Sequence, residues 1–208
     1  MFITLEGNEG AGKSSIALAI KKELEKRGYT LVLSREPGGS RIAEQVRDIL
    51  LERANTNMSE ETEALLYAAS RAQHLKDIVL PALQEGKIVL CDRFIDSSMA
   101  YQGYAREIGM DKIWQINQFA INGCMPSLTL YLKIDPKKGL ERVHSRGEEL
   151  NRLDLMDLSF HEKVAEGYDI LAKKYPERIV TIDASKKFEQ VLSDCLDAIL
   201  ARMKADHE

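Results

Sequence analysis

The octapeptide Gly-Asn-Glu-Gly-Ala-Gly-Lys-Ser at residues 7–14 follows directly on the apolar run Phe2-Ile3-Thr4-Leu5. No other feature constrains the chain as strongly. The spacing G-x-x-x-x-G-K-[ST], set between a strand and a helix, is a phosphate-binding loop. Gly7, Gly10 and Gly12 let the backbone curl, so that the amides of this loop, from Gly7 through Asn8, Glu9 and Ala11 to Ser15, converge on phosphate oxygens. Lys13 can reach β- and γ-phosphates, and the Ser14 hydroxyl suits Mg²⁺. Residues 14–27 read as a helix whose positive end faces the same anion. A chance glycine-rich turn would not satisfy every fixed position and both flanks at once.

A chain of 208 residues can bury one good core, so a single α/β domain spanning 1–208 with small insertions is expected. The net charge of −4 argues against bulk attraction to nucleic acid. An acidic protein that binds a polyanion must concentrate positive charge locally, which makes individual arginines worth tracking. Cys91, Cys124 and Cys195 are odd in number and widely spaced, indicating neither a zinc site nor a disulfide framework. Free thiols suit a reducing, cytoplasmic setting. No basic leader precedes the first strand, and no apolar stretch approaches the ~20 residues that span a bilayer, so no membrane association is expected.

Short apolar runs rich in β-branched residues predict strands at 2–6, 30–34, 87–91, 128–133 and 178–182. Helical patterns predict helices at 14–27, 40–53, 59–85, 111–122, 136–146, 159–174 and 187–204, with Pro81 a candidate kink in the third. The alternation implies a mostly parallel five-stranded sheet between two helical layers. Ligands in such folds bind beyond the carboxyl ends of the strands, and the notable motifs all follow strand ends.

Arg35-Glu36-Pro37-Gly38-Gly39 closes the second strand, and an arginine–glutamate pair beside a turn is ambiguous by itself. Cys91-Asp92-Arg93-Phe94 closes the third. There Asp92 suits a metal-holding role and Arg93 can fork onto a phosphate. Tyr67 and Arg71 are four apart and share a helix face, which suits stacking a base and bonding its edge, although the pair taken alone reads rather as a core tyrosine and a surface charge. His74 shows no partner in the sequence and reads as structural. The segment 95–104 supplies Ser98, Tyr101 and Gln102 for sugar and base recognition, or is a polar cap, and Arg106 reads as solvated. Arg142, Arg146 and Arg152 flank a polar, Gly-containing stretch that reads as a mobile lid, about 142–153. Phosphoryl transfer needs positive charge on the moving group. Asn8, Glu9, Gly10 and Ala11 contain no arginine, so this lid is the best local source. Glu9 is out of place beside a phosphate and is expected to turn toward a sugar hydroxyl.

Together Gly7–Ser14, Arg35–Gly39, Tyr67–His74 and Asp92–Gln102 resemble, in order and over nearly the whole chain, the thymidylate kinase family of P-loop nucleoside monophosphate kinases. The resemblance implies a three-layer P-loop NTPase fold, transfer of the γ-phosphoryl group of ATP to dTMP, dependence on Mg²⁺, and a homodimer. Lys13 and Ser14 would serve ATP and Mg²⁺, with Asp92 in the metal region. Glu9 would face the deoxyribose 3′-hydroxyl. Arg93 would hold the dTMP phosphate, with Arg35 and Pro37 nearby. Tyr67 would stack on thymine, and Arg71 would bond its edge. Ser98, Tyr101 and Gln102 would frame base and sugar, with Tyr101 disfavouring a 2′-hydroxyl. Arg146 and Arg152 would be the lid arginines. The chain departs from the family at Tyr67, where Phe is usual, and at Ser70, where an acid is common. Neither change removes a group the chemistry requires.

Overall fold

The computed structural model describes residues 1–145 and 151–205. Five strands form one parallel sheet: β1 (Phe2–Glu6), β2 (Leu31–Arg35), β3 (Ile88–Asp92), β4 (Leu128–Lys133) and β5 (Ile179–Asp183), in the order β2-β3-β1-β4-β5. The expected strands are all present, with ends shifted by at most one residue. The register pairs Arg35 with Asp92 and Asp92 with Leu5. Three strand ends are therefore level where the Gly7–Ser14 loop leaves β1. β1 lies between β3 and β4, so that loop sits where the chain order reverses, a place where such sheets bind ligands.

Alternation along β1 sorts the core. Ile3 and Leu5 join Leu90, Leu130 and Leu132 on one face, covered by α1 (Lys13–Lys26) through Ile16, Ile20 and Leu24 and by α9 (Phe188–Ala205) through Val191, Cys195 and Ile199. Phe2, Val89, Cys91 and Tyr131 face the other way. They meet Phe94, Ile95 and Met99, together with Phe160, Val164, Tyr168 and Leu171 of α8 (Leu158–Lys174). Each fully buried Leu or Ile would cost roughly 2–5 kcal/mol if cut to Ala. α1 stops where Gly28, at φ 88°, turns the chain and lets the Tyr29 amide reach the Leu24 carbonyl at 3.1 Å. α8 starts at Asp157, whose carboxylate accepts from the Phe160 amide at 2.9 Å.

Other helices include α2 (Arg41–Leu51), α6 (Met110–Ile121) and α7 (Pro136–Ser145), and in two further stretches the helix widens. The helix expected at 59–85 is three segments: α3 (Glu60–His74), a π-helical stretch Leu75–Val79, and α4 (Leu80–Gln84). Pro81 has no N–H and crowds the carbonyl four residues back. The wider turn just before it accommodates both effects without breaking the rod. The segment after β3 is helical as well: α5 (Ile95–Ser98) runs into a π-helical stretch Met99–Ala105. The expected helix 136–146 is seen over Pro136–Ser145; its final residue, Arg146, lies outside the described residues.

Candidate active site

The Gly7–Ser14 loop is held open by its glycines. Gly10 sits at φ 72°, and a Cβ there would collide with the Gly139 carbonyl of α7, so only glycine fits. Lys13 is buried and donates to the Gly7 and Asn8 carbonyls, each at 3.0 Å. Burial lowers its pKa, and the neighbouring Arg93 adds to the shift. The Ser14 hydroxyl donates to Asp92 Oδ2 at 3.0 Å, joining the loop to the end of β3.

Glu9 does not repel its surroundings, because it has a cation beside it. Arg93 Nη2 donates to Glu9 Oε1 at 2.7 Å, and the Tyr101 hydroxyl donates to the same oxygen at 3.0 Å. Burial alone would raise the Glu9 pKa, but Arg93 and then Lys13 outweigh it and hold it at about 2. Arg93 itself has φ 70°, a conformation rare outside glycine. Its Nη1 donates to Ser97 at 3.1 Å and to the Tyr168 hydroxyl at 3.2 Å, and its guanidinium lies 5.0 Å from the centre of the Tyr101 ring.

Two cavities share Glu9 and Arg93 as a common wall. The first is lined by Gly10, Gly12, Lys13, Ser14, Ser15, Arg35, Glu36, Arg47 and Asp92 besides. Four cations there, Lys13, Arg35, Arg47 and Arg93, suit a polyanion. The second is lined by Tyr67, Ser97, Ser98, Tyr101, Gln102 and Leu153. It offers an aromatic ring with hydroxyls and an amide, the furnishing of a nucleoside site. The phosphate cradle and the aromatic pocket therefore meet at one carboxylate and one guanidinium.

Several residues stand elsewhere than the sequence suggests. Arg71 is 1% exposed and lines neither cavity. It donates to Glu36 Oε2 at 2.8 Å, to Ser98 Oγ at 3.1 Å and to Asn117, and it lies over Phe94. It reaches the aromatic pocket only through Ser98. His74 has partners after all, Ser34 at 2.6 Å and Glu36 at 2.9 Å. Arg106 is not solvated: it pairs with Glu63 at 3.3 Å and covers Phe160. Pro37 is buried, and its carbonyl accepts from Arg47 at 2.8 Å. Arg35, half exposed, pairs with Glu44 at 2.9 Å. Arg142 Nη1 lies 3.4 Å from the Gly10 carbonyl, against the phosphate loop. Arg152 is turned away from that loop, donating to Glu63 at 2.5 Å and to the Leu50 carbonyl at 3.1 Å.

Glu6 and Arg47 escaped the sequence reading, which names Glu36 only as half of an ambiguous pair. Glu6 accepts from the Phe94 amide and the Tyr168 hydroxyl, at 2.7 and 2.9 Å, and so fixes the turn that carries Arg93. Burial, then Asp96, raise its pKa to about 7. An acid closing an apolar strand one residue before Gly7 was the available signal. Arg47 sits among ordinary charges on an amphipathic helix, which gives no signal.

The family model described as thymidylate kinase matches residues 5–195. The thymidylate kinase of Geobacillus thermodenitrificans (strain NG80-2) is 53% identical over 204 residues, covering 98% of this chain and 91% of the relative. That of Bacillus pumilus (strain SAFR-032) is 52% identical over 205 residues, covering 98% and 97%. The crystal structure of thymidylate kinase from Ehrlichia chaffeensis superposes with a TM-score of 0.78 at 31% identity, covering 96% of this chain and 98% of that one. With a phosphate cradle and an aromatic, polar pocket joined at Glu9 and Arg93, and with relatives this similar over nearly its full length, the chain belongs to the thymidylate kinase family.

Proposed function

We propose that the enzyme transfers the γ-phosphoryl group of ATP to dTMP, giving dTDP and ADP. The shared wall of the two cavities carries this reading. Arg93 lies between the phosphate cradle and the Tyr67 pocket, so a nucleotide seated in that pocket would present its phosphate to the cradle. Such an acceptor needs no general base, because its phosphate oxygen is already a nucleophile. A nucleoside acceptor would need a free carboxylate base, and Glu9 is instead tied to Arg93 and Tyr101.

The Gly7–Ser15 amides and Lys13 bind the donor phosphates, with Arg142 beside Gly10. Ser14 and Asp92 are adjacent hard oxygen donors that fit Mg²⁺, which when bound there would neutralise phosphate charge. Arg93, with Arg35 and Arg47, receives the dTMP phosphate. Tyr67 stacks on the base, while Ser98, Gln102 and Arg71, acting through Ser98, read its edge. Tyr101 borders the sugar with Glu9. Arg146 and Arg152 supply charge to the moving phosphoryl group, Arg152 after leaving Glu63. Residues 1–208 act as one domain with 142–153 as its lid.

A second copy of the chain completes the assembly. α3 packs against α2 and α6, and these helices expose Ile42, Ile49, Leu65 and Phe119, the last at 92%. Light scattering that returned a monomer would remove this part. Three free cysteines support a cytoplasmic setting, and no helix among the described residues is long and apolar enough to cross a membrane. The acceptor assignment is tested by offering ATP, Mg²⁺ and each nucleoside monophosphate. Turnover of UMP, CMP or GMP equal to or faster than that of dTMP would overturn it.

A further inference from the structure

Glu63 opens α3 yet is only 2% exposed, an unusual place for a helix-start acid. Its Oε1 accepts from Gln102 Nε2 at 2.8 Å. Its Oε2 pairs with Arg152 at 2.5 Å and Arg106 at 3.3 Å. A carboxylate offers only acceptors, so it can hold the amide of Gln102 by the nitrogen and not by the oxygen. Gln102 lines the aromatic pocket. With its nitrogen committed to Glu63, the end it offers a ligand is the carbonyl oxygen, an acceptor. On the same wall Arg71 donates to Ser98 Oγ at 3.1 Å, which leaves the Ser98 proton to donate into the pocket.

We infer that Glu63, which does not touch the pocket, sets pyrimidine selectivity by fixing the Gln102 amide with its oxygen toward the base. This rests on the dTMP reading above. An imide edge, N–H flanked by carbonyls, meets an acceptor at Gln102 and a donor at Ser98. The cytosine edge presents a bare ring nitrogen instead, so two acceptors would face each other. A flipped Gln102 would reverse that preference, and Glu63 forbids the flip. Glu63 is thus a positioning residue.

The test is kcat/KM for dTMP and for dCMP in the wild type, Glu63→Gln and Gln102→Met. The neutral amide of Glu63→Gln accepts either end of Gln102, so the dTMP-to-dCMP ratio falls about tenfold, the worth of one hydrogen bond. Disturbing Arg152 or the fold alone lowers both substrates together and leaves the ratio unmoved. Gln102→Met keeps both arginine pairs, so it covers the case in which Glu63→Gln does not fold, and it loses the same selectivity. The double variant loses no more than either single one. Wild-type turnover of dTMP with an unchanged ratio in either variant overturns this inference alone. A wild type that ignores dTMP overturns the acceptor assignment and this inference with it.

Discussion

Replacing Arg71 by methionine removes one member of a buried ion pair and leaves most of its volume filled. Glu36, itself 4% exposed, then loses the guanidinium 2.8 Å away, and Ser98 and Asn117 lose a donor. Orphaning one partner of a buried pair costs about 3–5 kcal/mol. His74 Nδ1 still stands 2.9 Å from the other Glu36 oxygen, and the methionine retains contact with Phe94. The low end, about 3 kcal/mol, is therefore expected. In a domain of this size that lowers Tm by roughly 6–12 °C. Urea unfolding followed by circular dichroism and by tryptophan fluorescence measures the loss. Adding Glu36→Gln removes the stranded charge, so the double variant is less destabilised than the sum of the singles. A loss below about 1 kcal/mol, or strict additivity with Glu36→Gln, would refute the buried-pair reasoning. In the same variant the KM for dTMP rises more than kcat falls, because Arg71 reaches the base pocket only through Ser98 and lies away from the transferring phosphoryl group.

Lys13→Ala lowers kcat about 10²–10³-fold, the usual worth of one preorganised charge on a reacting phosphoryl group, as an ADP-coupled assay will show; a loss under tenfold counts against the role. Gly10→Ala forces a Cβ onto the Gly139 carbonyl at a positive φ, so the KM for ATP rises at least about tenfold, and an unchanged KM would contradict the loop geometry. Glu6 has a folded pKa raised from 4.5 to about 7. Its contribution to stability is present below pH 4.5 and lost as pH rises through about 7. Unfolding free energy of the wild type minus that of Glu6→Gln therefore declines across that window, and a flat difference would disprove the assignment. Glu9 has the opposite sign, with its folded pKa held at about 2. Its stabilisation is present above pH 4.5 and disappears as pH falls toward 2, so removing Arg93 narrows the acid range of stability. Acid titrations of Arg93→Met and wild type that coincide would exclude that coupling.

The strands and most helices were legible because one face or both are covered by neighbours, and burial of that kind leaves a periodic trace. Residues 95–105 left none. From Ile95 to Gly103 every side chain is buried, so the apolar and polar positions follow no period of 3.6, and the helix looked like a polar segment. The fit of serines, tyrosine and glutamine into a buried helix depends on partners brought from elsewhere: Glu6 to Ser97, Arg71 to Ser98, Glu9 to Tyr101 and Glu63 to Gln102.

By itself the sequence determined the phosphate-loop conformation, since the Gly7–Ser14 spacing is local. Glycine freedom, a lysine and a hydroxyl act within one turn of backbone and need no distant group to be recognised. It also singled out Tyr67, on a helix face, and Arg93, after a strand, and the fold brings both to the wall of one cavity. The tertiary structure alone decided which charges are free and which are spent. Arg71, Arg106 and Arg152 look alike in sequence, but each is bound to a buried carboxylate, Glu36 or Glu63, brought near by the fold. Glu9 reads as a misplaced anion until Arg93, 84 positions away, is set 2.7 Å from it. A charge acts through its distance to other charges and its removal from water, and neither quantity exists until the chain is folded.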